Sequence, residues 1–249
     1  YGNRLMQLPL GIFAISAGTA VLPLYSRFAS QDKPDDLSQS MKFSTITLAY
    51  LILPITVIIL ALGKDFMYVL FQSGEFDSVA TENCFKALFF YSLGLMFYSL
   101  NQVVTPVFYA YKDTKTPVMI AAPMVVLNIT LNWILMKYMS FSGLAFATSL
   151  TAVVNFVVLL ALLKKKVPQI SFAGIFSNLF KAALISILIY FILFFANSRL
   201  PELAKIPTLV KDGILSLSAF LIFYGLGLLF KLEYLAEMRK NLWNRLARR

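Results

Sequence analysis

Uncharged apolar stretches recur along this chain at 5–26, 43–62, 87–111, 117–136, 143–163, 182–198 and 213–230, and the charged residues gather between them. Each stretch is near the roughly 20 residues that cross a hydrocarbon layer of about 30 Å. Backbone polar groups in lipid must be satisfied within their own segment. The pattern therefore predicts an all-α, polytopic membrane bundle of about seven helices, the last two being the shortest.

Prolines interrupt these stretches at Pro9, Pro23, Pro54, Pro106, Pro117 and Pro123. An interior proline removes one helix hydrogen bond and bends the helix, which suits a cavity-lining or moving bundle; proline is also simply commoner in membrane helices than in soluble ones. Between the second and third stretches, Lys64 to Glu82 carries an apolar patch (Phe66, Met67, Leu70, Phe71), a Ser73-Gly74-Glu75 turn, and Asp77 or Ser78 as a helix cap. This segment is expected to lie along the outer surface. In the link 112–117, Thr116 fits as a cap and Pro117 as the first helical residue. The pairs Ala14 with Gly18, and Gly143 with Ala147, are spaced for close helix packing. The tail 231–249 sets Leu232, Leu235, Met238, Leu242 and Leu246 near one face among basic residues, the pattern of an amphipathic helix on an anionic leaflet.

Charge adds an orientation. If the spans alternate, fifteen of the 22 Lys and Arg fall on the side of the C-terminal tail and seven on the side of Tyr1. The positive-inside rule then places the tail in the cytoplasm. The formal net charge of +10 reads as topology and anionic-lipid contact, with no soluble domain to present a basic patch to nucleic acid. The chain opens on Tyr1, without Met and without the charged region and cleavage site of a signal peptide, so it reads as the C-terminal part of something longer.

The chemistry an enzyme would need is missing. There is no His and a single Cys, Cys84, and no Gly-rich phosphate loop ending in Lys-Ser or Lys-Thr. All twelve Asp and Glu fall in predicted loops or the tail, so no carboxylate relay is expected within a span. Three features remain. Arg4, with Gln7 one turn on, could meet an anionic group through its planar fork, or could snorkel to the headgroups. Arg27, at the other end of that span, reads as a cytoplasmic anchor. Asn128 and Asn132, one turn apart, with Thr148 in the following span, could hold a small cation such as sodium, or could be interhelical hydrogen-bond glue.

Taken in order, several strings resemble the MurJ/MviN lipid II flippases of the MOP exporter superfamily: the run Tyr1 to Phe13, Leu22-Pro-Leu-Tyr-Ser-Arg27, Leu70-Phe-Gln-Ser-Gly-Glu-Phe76, Tyr91-Ser-Leu-Gly-Leu95, the run Phe108 to Pro117, Leu127-Asn-Ile-Thr-Leu-Asn132 and Gly143-Leu-Ala-Phe-Ala-Thr-Ser149. The resemblance runs from Tyr1 to about Lys166; beyond that only hydropathy and the basic tail match. It implies a second MOP-type lobe of five helices over 1–166, two additional helices over 167–230, and a basic cytoplasmic tail over 231–249. It further implies a non-enzymatic, multi-pass protein of the bacterial inner membrane that moves a polyisoprenoid diphosphate-linked precursor by alternating access. Its partners would be membrane lipids, an N-terminal lobe that this chain lacks, and cell-wall synthases. By the same resemblance Arg4 corresponds to a cavity position that engages the diphosphate, with Gln7 beside it. Asn128, Asn132, the backbone at Leu144, and Thr148 fall where some members bind a coupling sodium ion; no other cofactor is implied. Another MOP-type exporter, for polysaccharide precursors or drugs, and a non-transporting scaffold for cell-wall synthesis are the alternative readings.

Overall fold

The computed structural model describes residues 1–200 and 204–235. Its elements are α1 (Gly2–Pro9), a π-helical stretch (Leu10–Ile15), α2 (Ser16–Ser30), α3 (Pro34–Phe71), α4 (Ser78–Ala110), α5 (Lys115–Met139), α6 (Phe141–Lys166), α7 (Ile175–Arg199) and α8 (Lys205–Leu229). Among the described residues seven helical segments are long and apolar enough to cross a membrane, counting α1 to α2 as one. The all-α polytopic expectation is met.

The first span is continuous but not uniform. Proline at position 9 cannot donate to the preceding turn, and its ring crowds the carbonyl four residues back. The ladder directly after it widens into the π-helical stretch. The far side of this segment packs on α4 through Met6, Ala14, Gly18 and Tyr25. Glycine is required at position 18 because an added Cβ would stand 2.5 Å from the Gln102 carbonyl oxygen of α4. At the α4–α6 crossing Gly94 meets Ser149 in the same way, a Cβ there lying 2.6 Å from the Ser149 hydroxyl. That hydroxyl instead donates to the Phe90 carbonyl at 2.6 Å.

α3 is the spine shared by two cores. Leu48, Ala49, Ile52 and Ile59 belong to the core built with α1 to α6. Ile46, Tyr50, Leu53, Val57 and Leu62 belong to a second core with Ala182, Ile185 and Ile189 of α7 and Ala219 and Phe223 of α8. A helix apolar on two sides is expected to lie inside a bundle, and most of α3 is buried.

Several expectations are corrected. Phe66, Met67, Leu70 and Phe71 do not run along a surface loop: they are the last turns of α3, and Met67 is fully buried. Charge at Lys64 and Asp65 ended the predicted span, but charge does not end a helix whose backbone bonds continue. Thr116 is not the cap of α5; the Asp113 carboxylate is, accepting from the Thr116 N–H at 2.9 Å and the Thr116 hydroxyl at 2.7 Å. Asp77 does cap α4, accepting from the Ala80 N–H at 2.8 Å. Leu232 and Leu235 do not lie on a leaflet but are buried in the second core, with Lys42 and Glu233 paired at 2.7 Å beside them. The rest of the predicted tail helix lies outside the described residues.

Contacts far apart in sequence define the two ends of the bundle. The Tyr1 ring packs at a tilt on Phe71 and edge-on to Phe76 at one end, where Lys205 donates to the Gln72 carbonyl. At the other end Lys166 pairs with Asp113, and Ser38 accepts from the Ser171 N–H at 2.9 Å. Lys166, followed by the Thr116 donors, holds the Asp113 carboxyl well below the usual carboxylate range.

Candidate functional site

With Met6, Ala14 and Gly18 turned onto α4, the first span leaves Arg4, Gln7, Ser16, Thr19, Pro23 and Arg27 exposed. Within each half these positions recur at three- or four-residue intervals, 4 and 7 and then 16, 19, 23 and 27, so a polar stripe runs along either half of the segment. The π-helical stretch divides it, and Leu8, Ile12 and Ile15 are exposed large apolar residues between its polar halves. Arg4 makes no hydrogen bond or ion pair with any described residue. Gly2 packs against the backbone of Cys84 and Leu88, which places Arg4 at least about two turns inboard of the α4 N terminus. Ser16 and Thr19 were not singled out by sequence reasoning. Their signal was present in the spacing from Arg4 and Gln7, obscured by the extra residue of the π turn.

The second predicted group lies elsewhere. Asn132 Nδ2 donates to Asn128 Oδ1 at 3.0 Å, and Asn128 Nδ2 donates to the Thr151 hydroxyl of α6 at 3.2 Å. Thr148 donates to the Leu144 carbonyl at 2.8 Å. α5 packs almost wholly against α6, whereas α1 packs against α4, so the structure gathers Arg4 with Gln7 and Asn128 with Asn132 but does not merge the two groups. Asn132 Oδ1 is buried and accepts no hydrogen bond. That orphaned amide oxygen is a neutral, hard ligand of the kind a sodium ion takes, whereas the Leu144 carbonyl and the Thr148 hydroxyl are engaged with each other. α5 is otherwise bare: of its 25 residues only Ile120 is buried, while Val125, Val126, Ile129 and Trp133 are exposed.

The expectation that no carboxylate lies within a spanning helix is corrected. Asp65 falls inside α3 and Asp212 inside α8, and Asp212 is 0% exposed. The last two spans also carry internal charge, at Lys181 in α7 and at Lys211 and Asp212 in α8.

Comparison with known proteins bears directly on this arrangement. The family model described as "Lipid II flippase MurJ" matches residues 1–210. A probable lipid II flippase MurJ from Vibrio cholerae is 35% identical over 159 residues, covering 64% of this chain and 30% of the relative. One from Bdellovibrio bacteriovorus is 27% identical over 248 residues, covering 97% of this chain and 46% of the relative. A solved structure described as lipid II flippase MurJ in an inward closed conformation superposes with a TM-score of 0.76 at 25% identity, over 93% of this chain and 46% of that one. The chain thus spans less than half the length of these relatives. The family match covers both the striped first span and the asparagine pair, and the superposition extends the likeness through most of the bundle: this multi-pass membrane chain belongs to the MurJ family of lipid II flippases.

Proposed function

We propose that this chain forms one wall of a lipid II flippase, with Arg4 engaging the diphosphate of the polyisoprenoid-linked precursor as the headgroup crosses by alternating access. The single observation that carries the reading is an arginine left without a partner among the described residues, on the exposed side of a membrane-length helix. Keeping a cation there is costly unless it faces water, a partner or a substrate, and a guanidinium fork matches phosphate oxygens bidentately. Gln7, Ser16 and Thr19 continue the stripe with neutral hydrogen-bonding groups suited to a sugar-bearing headgroup. The opposing wall comes from the N-terminal lobe that the longer relatives carry. The basic end of the bundle, with Lys164, Lys165 and Lys166, faces the cytoplasm by the positive-inside rule, and the Tyr1 end faces out. Cell-wall synthases are the partners expected of such a transporter.

A coupling sodium ion fits the second group. Asn132 Oδ1 is the free ligand, and the Leu144 carbonyl and Thr148 hydroxyl of α6 would join it, with further ligands supplied from outside this chain. The ion would contribute a charge coupled to the transport cycle; the chain's own part is to orient the Asn132 amide through Asn128 and Thr151.

The test is complementation of a flippase-depleted strain by the chain joined to its N-terminal half. Arg4→Ala at normal protein level should abolish growth, with lipid II accumulating in the inner leaflet. Growth equal to wild type would refute the role of Arg4.

A further inference from the structure

A second constellation lies away from the stripe, where the ends of α3 and α7 meet the start of α8. Lys211 of α8 donates to Asp65 Oδ2 of α3 at 2.8 Å and to Asn197 Oδ1 of α7 at 2.7 Å. Its next residue, Asp212, is 0% exposed, and neither carboxylate oxygen accepts a hydrogen bond. Among the described residues the only cation near it is that same Lys211, 3.5 Å from Asp212 Oδ1. One ammonium is thus shared between two carboxylates and committed by its short bonds to the first.

The other charged or titratable groups nearby are accounted for. From α3, Lys64 is turned to Glu82 at 3.0 Å, and Tyr68 lies under Lys205 of α8, 5.9 Å from ring centroid to Nζ. From α7, Arg199 is exposed and pairs with no described residue. Among the described residues, then, only Lys211 approaches Asp212, and at 3.5 Å it makes no hydrogen bond to it. A carboxylate stripped of water and given no hydrogen bond is among the costliest states a protein interior can hold, and it neutralises itself when a proton is within reach. Protons are within reach, because Lys211 and Thr208 line a cavity of about 690 Å³ together with Lys64, Asp65, Gln72 and Asn197.

We propose that Asp212 is a proton-exchange site, loaded from the water of this cavity and gated by Lys211. In the loaded form Asp212 carries the proton: a hydronium ion gives it up, an O–H bond forms on the carboxyl, and water is released. The cluster is then neutral, one Asp65 carboxylate against one Lys211 ammonium. When the proton leaves to water, the cluster gains a negative charge that draws the Lys211 ammonium from Asp65 toward Asp212. Loss of the proton therefore loosens the bond between α3 and α8, so that the proton concentration on the cavity side biases the packing of α8. This site is separate from the Arg4 stripe and stands or falls independently of the substrate assigned there.

Infrared spectroscopy of the whole chain in lipid nanodiscs, with isotope-labelled aspartate carboxyls, tests it. In mildly acid buffer, at about pH 5, the wild type should show the carbonyl band of a protonated carboxyl, shifted by the label and fading as pH rises through neutrality. The band should vanish in Asp212→Asn, which keeps the size of the group, and should weaken and fade at lower pH in Asp65→Asn, which frees Lys211 for Asp212. Absence of a label-sensitive band in the wild type overturns the proposal without reliance on any variant. So does a band that survives Asp212→Asn, or one whose pH dependence is unmoved in Asp65→Asn.

Discussion

Arg4 and Lys211 are both cations within membrane-length helices, and the chain treats them in opposite ways. Lys211 is held by Asp65 and Asn197 at hydrogen-bond distance, with a side chain 13% exposed. Arg4 is exposed and makes no hydrogen bond or ion pair with a described residue. A cation neutralised from within holds helices together; a cation kept bare is available to something that arrives from outside. The difference separates the structural end of the α3, α7 and α8 cluster from the proposed transport face of α1 and α2.

The comparison breaks most readily at its buried side. Lys211→Met leaves the partly exposed Asp65 without its cation and should cost about 2–3 kcal/mol, as losing a hydrogen bond between charged groups does, read as a lowered unfolding midpoint in detergent. A loss of only a few tenths would mean that Lys211 holds nothing together. Gly18→Val tests the packing that turns the stripe outward. Its Cβ meets the Gln102 carbonyl, so the helix must move, at about 2 kcal/mol. An unchanged midpoint would show that α2 does not pack on α4 through this contact.

Asp113 offers a milder, pH-dependent contrast. Its carboxyl titrates lower in the folded chain than in the unfolded one, so it adds stability above the ordinary carboxylate range and loses that contribution as pH falls. Asp113→Asn should flatten the acid limb of a stability profile and leave the neutral and alkaline limbs parallel to wild type. A profile of unchanged shape would remove the Lys166 pair from the account.

How much of this was legible in the sequence follows the range of the interaction. Seven spans came through because hydropathy is a local property. The Asn128 and Asn132 pair came through because a four-residue spacing on a helix is itself a contact, here 3.0 Å long. The Asp65 and Lys211 pair did not: its members are 146 residues apart, so Lys64 and Asp65 looked like a span boundary, as did Lys211 and Asp212. Pro9 marked a break in the first span, but nothing local distinguished a π turn from a kink, and that turn shifts Ser16 and Thr19 into register with Gln7. The polar stripe needed the packing on α4 to be known before its exposed side could be named.

Arg4→Ala should have the smallest effect on stability, within about 0.5 kcal/mol, because no described residue loses a partner. Its effect on binding should be large, and this is the most direct test of the central claim. The measurement is the affinity of a polyisoprenyl diphosphate lipid for the chain joined to its N-terminal half, comparing wild type with Arg4→Ala. A charge-assisted contact of about 1.5–3 kcal/mol predicts roughly a 10- to 100-fold weaker Kd at an unchanged unfolding midpoint. Equal affinity for the two proteins would contradict the account.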